Sequence, residues 1–157
     1  MKAFNLDFYS SYNQFFIFDK NISFDSTEEM WTDQAFLDRL SMLPGRLSVG
    51  TACYGTVRAE LRLLDNPSNK NDFNDYDHVV EGSINIKSGI IQIIACMANE
   101  PELEISVDPG VYRIRIYSSN LGSVIGDEGD DFYLLEIWKQ NFTDRLVLKR
   151  MKGSNGN

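Results

Sequence analysis

The stretch Glu102-Leu103-Glu104-Ile105-Ser106-Val107-Asp108-Pro109-Gly110-Val111-Tyr112-Arg113-Ile114-Arg115-Ile116-Tyr117 decides the fold. Before its centre, Leu103, Ile105 and Val107 alternate with Glu102, Glu104 and Ser106. After it, Tyr112, Ile114 and Ile116 alternate with Val111, Arg113, Arg115 and Tyr117. A period of two belongs to strands that bury one face. Between the arms, Asp108-Pro109-Gly110 is a turn. Proline presets φ at one turn position and glycine accepts a positive φ at the next.

The same pattern recurs in both directions. Residues 132–138 and 146–148 form two later strands. Upstream, residues 90–96 are apolar at nearly every position, as in a strand covered on both faces. Residues 4–8, 12–18, 55–64 and 83–87 supply further strands. One helix is predicted at 32–42. Ser26-Thr27-Glu28-Glu29 has capping-box spacing and Thr32 is a second N-cap candidate. Apolar residues at 31, 35, 36, 40 and 43 make a helical stripe, which Pro44-Gly45 ends. Eight or nine short strands with one short helix predict a mainly β protein: a single-domain antiparallel β-sandwich over residues 1–152, with a barrel as the alternative. The polar end, 153–157, reads as a disordered tail. The loop 65–78, rich in Asn and Asp, reads as mobile.

Composition narrows the function classes. The chain has 157 residues, 43% of them apolar and 24% charged, with a formal net charge of -8. These proportions suit one folded domain. No run of 18 apolar residues is available for a membrane helix. The acidic balance argues against direct binding to nucleic acid or to an anionic membrane surface. Asn5 and Asp7 interrupt any signal-peptide core at the start. Cys53 and Cys96 have apolar neighbours and are expected to be buried, reduced thiols in a cytoplasmic protein. A single disulfide is the alternative and would point to export.

The charge is uneven. Arg145, Lys149, Arg150 and Lys152 against Asp144 give the last 14 residues +3, leaving -11 on residues 1–143. Acidic blocks lie at 19–33, 65–81, 100–108 and 127–131. Such a surface attracts basic partners, although solubility alone also explains it.

Catalytic chemistry has little to work with. A histidine triad must use His78, which reads as a plain loop histidine. One histidine and two distant cysteines make no zinc site of ordinary spacing, and no phosphate-binding glycine motif is present. No cofactor is expected and the chain reads as a non-enzyme. Asp127, Glu128, Asp130 and Asp131, in Gly126-Asp127-Glu128-Gly129-Asp130-Asp131, are candidate partner-binding residues. The same carboxylates carry the alternative of a small-ligand or calcium-binding sandwich, without matching the helix-loop-helix calcium spacing. A carboxylate-based hydrolase is a more remote option. Trp138, which shares a strand face with Leu134 and Glu136, is the candidate exposed aromatic anchor. Arg58, Arg62, Arg113 and Arg115 fall on outer strand faces, where Glu60 and Glu136 can pair with them.

Three blocks carry a family resemblance: Ser11-Tyr12-Asn13-Gln14-Phe15-Phe16-Ile17-Phe18-Asp19, then Trp31-Thr32-Asp33-Gln34-Ala35, then Pro109-Gly110-Val111-Tyr112-Arg113. Their order and spacing resemble the competence protein J family, the DNA-entry nuclease inhibitors of competent bacteria. The resemblance covers residues 11 to about 138. It implies a small, non-enzymatic protein that binds and inhibits a nuclease; the acidic charge separately suits a basic protein as partner, and association into homo-oligomers stays open. The loops at 65–78 and 118–131 and the basic tail depart from the family pattern, so the same partner does not follow.

Overall fold

The computed structural model describes residues 1–23 and 30–152. The expected capping box at 26–29, the acidic residues Asp25, Glu28 and Glu29, and the tail 153–157 lie outside them. Eleven strands and one α-helix follow in the order β1 (Lys2–Ser10), β2 (Gln14–Asp19), α1 (Asp33–Asp38), β3 (Leu40–Leu43), β4 (Arg46–Gly50), β5 (Gly55–Leu63), β6 (His78–Ile86), β7 (Ile90–Ala95), β8 (Leu103–Ser106), β9 (Gly110–Ser119), β10 (Phe132–Lys139) and β11 (Leu146–Lys149). They form a six-stranded sheet, β1-β5-β10-β9-β6-β11, and a five-stranded sheet, β3-β4-β2-β7-β8. The mainly β sandwich expected from the alternation is what forms.

The core lies between the sheets. Leu6, Phe8, Leu61, Ile114, Ile116 and Leu135 come from the first sheet, and Phe15, Ile17, Leu47, Ile91 and Ile93 from the second. Each set sits at alternate positions of its strand, so period two has sorted the faces correctly. The opening stretch divides between the sheets: β8 pairs with β7, and β9 with β6 and β10.

Three local expectations change. The helix ends at Asp38, and residues 40–43 turn into β3. Pro44-Gly45 is the two-residue turn of a β3–β4 hairpin, with Leu43 opposite Arg46 and Gly45 at φ +72. These two strands, hidden in the expected helix and its exit, raise the count to eleven. Thr32 is the N-cap; its hydroxyl accepts from Ala35 N–H at 3.1 Å. Finally, β5 and β10 run parallel, from Arg58 opposite Phe132 to Leu63 opposite Ile137, whereas the other described pairs are antiparallel.

The outer face of the six-stranded sheet is roofed. The segments 64–77 and 140–145 fold across it, and Phe73 and Tyr76, with Leu148 of β11, pack on Val79, Tyr117 and Leu134. The loop expected to be mobile is therefore fastened. Arg115 also donates to Lys70 O at 3.0 Å, and Lys70 Nζ lies 5.5 Å from the Tyr117 ring centre. Under this roof, Glu81 pairs with Arg113 at 2.9 Å and with Arg115 at 2.5 Å. Arg113 continues to Thr143 O and Asp144 O. A buried arginine that spends its N–H donors on these acceptors holds the C-terminal segment down. Its expected place on an open outer face is replaced by full burial.

The basic tail is spent in the same way. Arg145 and Arg150 both pair with Asp38, at 2.8 and 2.7 Å, and Lys149 donates to Phe73 O. His78 is fully buried at the start of β6 rather than lying in a loop. Its Nδ1 accepts from Met151 N–H at 3.0 Å, so Nε2 carries the proton and donates to Asp38 O at 2.8 Å. Among the described residues no helix is long and apolar enough to cross a membrane.

Candidate functional site

One end of the sandwich carries a cleft of about 820 Å³. One jaw is Trp31 with Phe36 and Leu37 of α1; the other is the loop after β9, with Leu121, Val124 and Gly126. The arch from β1 to β2, with Tyr12 and Asn13, lies between them. Asn13 holds the arch by donating to Cys53 O at 2.9 Å, and Trp31 Nε1 donates to Gln14 Oε1 at 2.6 Å.

The acidic loop is built, not loose. Leu121 N–H donates to Asp77 Oδ2, Asp130 N–H to Ser123 Oγ, and Tyr54 N–H to Asp127 O. Glu128 Oε1 accepts from Thr56 N–H at 3.2 Å, which ties the loop to β5. A β-carbon at Gly129 would lie 2.6 Å from Val124 Cα, so only glycine lets the two loop limbs approach.

The four candidate carboxylates divide. Asp127, Glu128 and Asp130 are exposed beside the cleft. Asp131 is buried, and its Oδ2 accepts from the Tyr133 hydroxyl at 2.5 Å and from Cys53 N–H at 3.2 Å. It fastens the loop to the core and presents no charge to a partner. Burial and then Asp131 push the Cys53 thiol up to about 12. Burial likewise drives the Tyr133 hydroxyl upward, with Asp131 adding to it. Both groups stay protonated. Both cysteines are free, Cys53 buried and Cys96 half-buried.

Trp138 is not an exposed anchor. It is 2% accessible, with Nε1 donating to Gln140 Oε1 and Arg115 stacked over its ring at 5.4 Å. The strand alternation correctly turned it away from the inter-sheet core; the roof then covered it. The exposed apolar residues are others. Phe36 is 71% accessible, although the helical stripe assigned it to the core, and Ile125 is 86% accessible. Phe36 and Ile125 were legible only as large apolar residues within a charged helix and an acidic loop.

Among the described residues no three of His, Cys, Asp and Glu come together as a metal site. Of the loop carboxylates, Asp131 is engaged by Tyr133 and Cys53, and Glu128 by Thr56.

No protein-family model matches the chain, and no curated protein matches it in sequence. Two solved structures share the fold. The crystal structure of ComJ from Bacillus subtilis, inhibitor of the DNA-degrading activity of NucA, aligns with a TM-score of 0.69 at 20% identity. The alignment covers 88% of this chain and 98% of that one. A protein described as crocagin biosynthetic gene J aligns with a TM-score of 0.57 at 18% identity, covering 89% of this chain and 98% of that one. The resemblance read from Ser11–Asp19, Trp31–Ala35 and Pro109–Arg113 thus has a counterpart in three dimensions.

Proposed function

We propose that this chain is a non-enzymatic binding protein that inhibits a DNA-degrading nuclease by protein–protein contact. The observation that carries the reading is the pre-formed loop that sets Asp127, Glu128 and Asp130 in solvent beside the cleft. The fold shared with an inhibitor of NucA supports it. A nuclease must present positive charge to hold phosphates, and fixed carboxylates compete for that surface without needing catalysis. Because the loop is held by backbone and side-chain hydrogen bonds, little ordering cost falls on association.

The test is DNA cleavage by NucA, and by nuclease-active fractions from the cells that make this chain, with and without the purified protein. Equimolar protein is expected to suppress one of these activities. Charge removal by Asp127→Asn with Asp130→Asn is expected to slow association and flatten its salt dependence, with thermal stability unchanged. Undiminished cleavage in every fraction at low salt would refute the reading.

A further inference from the structure

Helix α1 is turned the wrong way for a protein that works alone. The positions it buries are Ala35 and Asp38, and the latter is drawn inward by Arg145 and Arg150. Its large apolar residues face out: Phe36 is 71% accessible and Leu37 49%. On the opposite side Ile125, between the cleft-lining Val124 and Gly126 but not itself lining the cleft, is 86% accessible. Single exposed apolar side chains are ordinary. Several of them framing one cleft are not, because covering them would stabilise the molecule. The backbone between the jaws is also held in an uncommon state: Tyr12 and Asn13 have φ of 58° and 56°. Consecutive left-handed residues without glycine are strained, and such strain gathers where a ligand is gripped.

We infer that the cleft receives one large apolar side chain carried on a Lys- and Arg-rich segment of a protein partner. The volume of about 820 Å³ admits a side chain with its flanking backbone. The loop jaw carries the exposed carboxylates Asp127, Glu128 and Asp130, and Asp33 stands at the start of α1; the exposed cations nearby are tied to the protein itself, Arg150 to Leu37 O and Asp38 and Arg58 to Gly129 O. Arg39 lies in the cleft with its guanidinium turned to the Met151 sulfur at 3.5 Å. The apolar anchor supplies affinity, and the carboxylates supply orientation and speed. An acidic segment or a polyanion meets like charge at the loop jaw. This inference rests on the reading of a basic protein partner and adds where, and by what side chain, that partner is held.

The experiment uses three synthetic peptides followed by amide chemical shifts of the full chain. Two are Lys/Arg-rich and identical except for Phe or Ala at the centre; the third is Asp/Glu-rich with Phe. The basic Phe peptide is expected to shift residues 12–13, 31–37 and 121–128, and to bind about tenfold tighter than its Ala partner. Phe36→Ser with Ile125→Ser, both exposed positions, is expected to abolish that difference while the protein stays folded. Equal binding of the Phe and Ala peptides, equal binding of the acidic peptide, shifts elsewhere, or no binding overturns the inference. The nuclease assay separates the two claims. Inhibition that survives the Phe36→Ser, Ile125→Ser pair overturns the cleft inference and leaves the inhibitor reading standing. Anchor-dependent peptide binding without inhibition of any nuclease supports the cleft and overturns the inhibitor reading. Failure of both assays sinks both.

Discussion

Acidification is expected to weaken this protein through one residue, His78. Burial holds its imidazole down at about 4, against an ordinary value of 6.5, with the positive charges of Arg39 and Arg150 adding to the effect. The hydrogen bond to Asp38 O and the Asp38 carboxylate work the other way and do not overcome it. The unfolded chain takes up a proton near pH 6.5, whereas the folded chain resists until near pH 4. Between these values the unfolded state binds more protons. Stability is therefore complete above pH 6.5 and falls as the pH drops toward 4. Going from pH 7.5 to 4.5, the linkage relation gives a loss of about 2.5 kcal/mol from this group. The structural cause is specific: protonated Nδ1 can no longer accept from Met151 N–H, which is where the C-terminal segment is latched. The assay is urea unfolding followed by tryptophan fluorescence at both pH values, for the wild type and for His78→Gln. The variant starts less stable, but its further loss between the two pH values is expected to be smaller by about 2.5 kcal/mol. Asp38, whose carboxyl its arginine partners hold below the usual range despite burial, titrates lower and is common to both proteins. Equal losses in the two proteins would refute the argument.

Three further outcomes are expected. Trp138→Ala empties a roofed, buried site and is expected to cost about 3–5 kcal/mol, against less than about 0.5 for an exposed aromatic, read by chemical denaturation. Gly129→Ala forces a methyl into the Val124 backbone and is expected to cost about 1–3 kcal/mol in thermal melts, whereas Gly122→Ala, with nothing within 4 Å, leaves stability unchanged. Iodoacetamide at pH 8 is expected to label half-buried Cys96 and spare Cys53, as mass spectrometry of the digested protein would show; equal labelling would contradict a buried thiol raised to about 12.

The sequence was most informative where the physics is local. The alternation through 102–117 and 132–138 identified the strands and the residues facing the core. Thr32 was readable as an N-cap because capping needs only a hydroxyl three residues before its donor. The segment 40–50 was misread for a related reason. Leu40 and Leu43 fit a helical stripe, and only their pairing with Val49 and Arg46 selects the strand. The candidate site was legible in half. Asp127, Glu128 and Asp130 are exposed as expected of a charged loop, whereas Asp131, at the edge of the same run, is claimed by Tyr133 and Cys53.

By itself, then, the sequence determined which side of each strand is apolar, because side-chain direction in a strand depends only on position along it. It did not determine which polar side would be roofed, or which charge would be internal. Trp138 and Arg113 are buried because the chain returns over them at 140–145. Phe36 is left outside because Asp38 is pulled in by Arg145 and Arg150, residues more than 100 positions away. Those outcomes depend on contacts between distant segments, which exist only once the two sheets have closed.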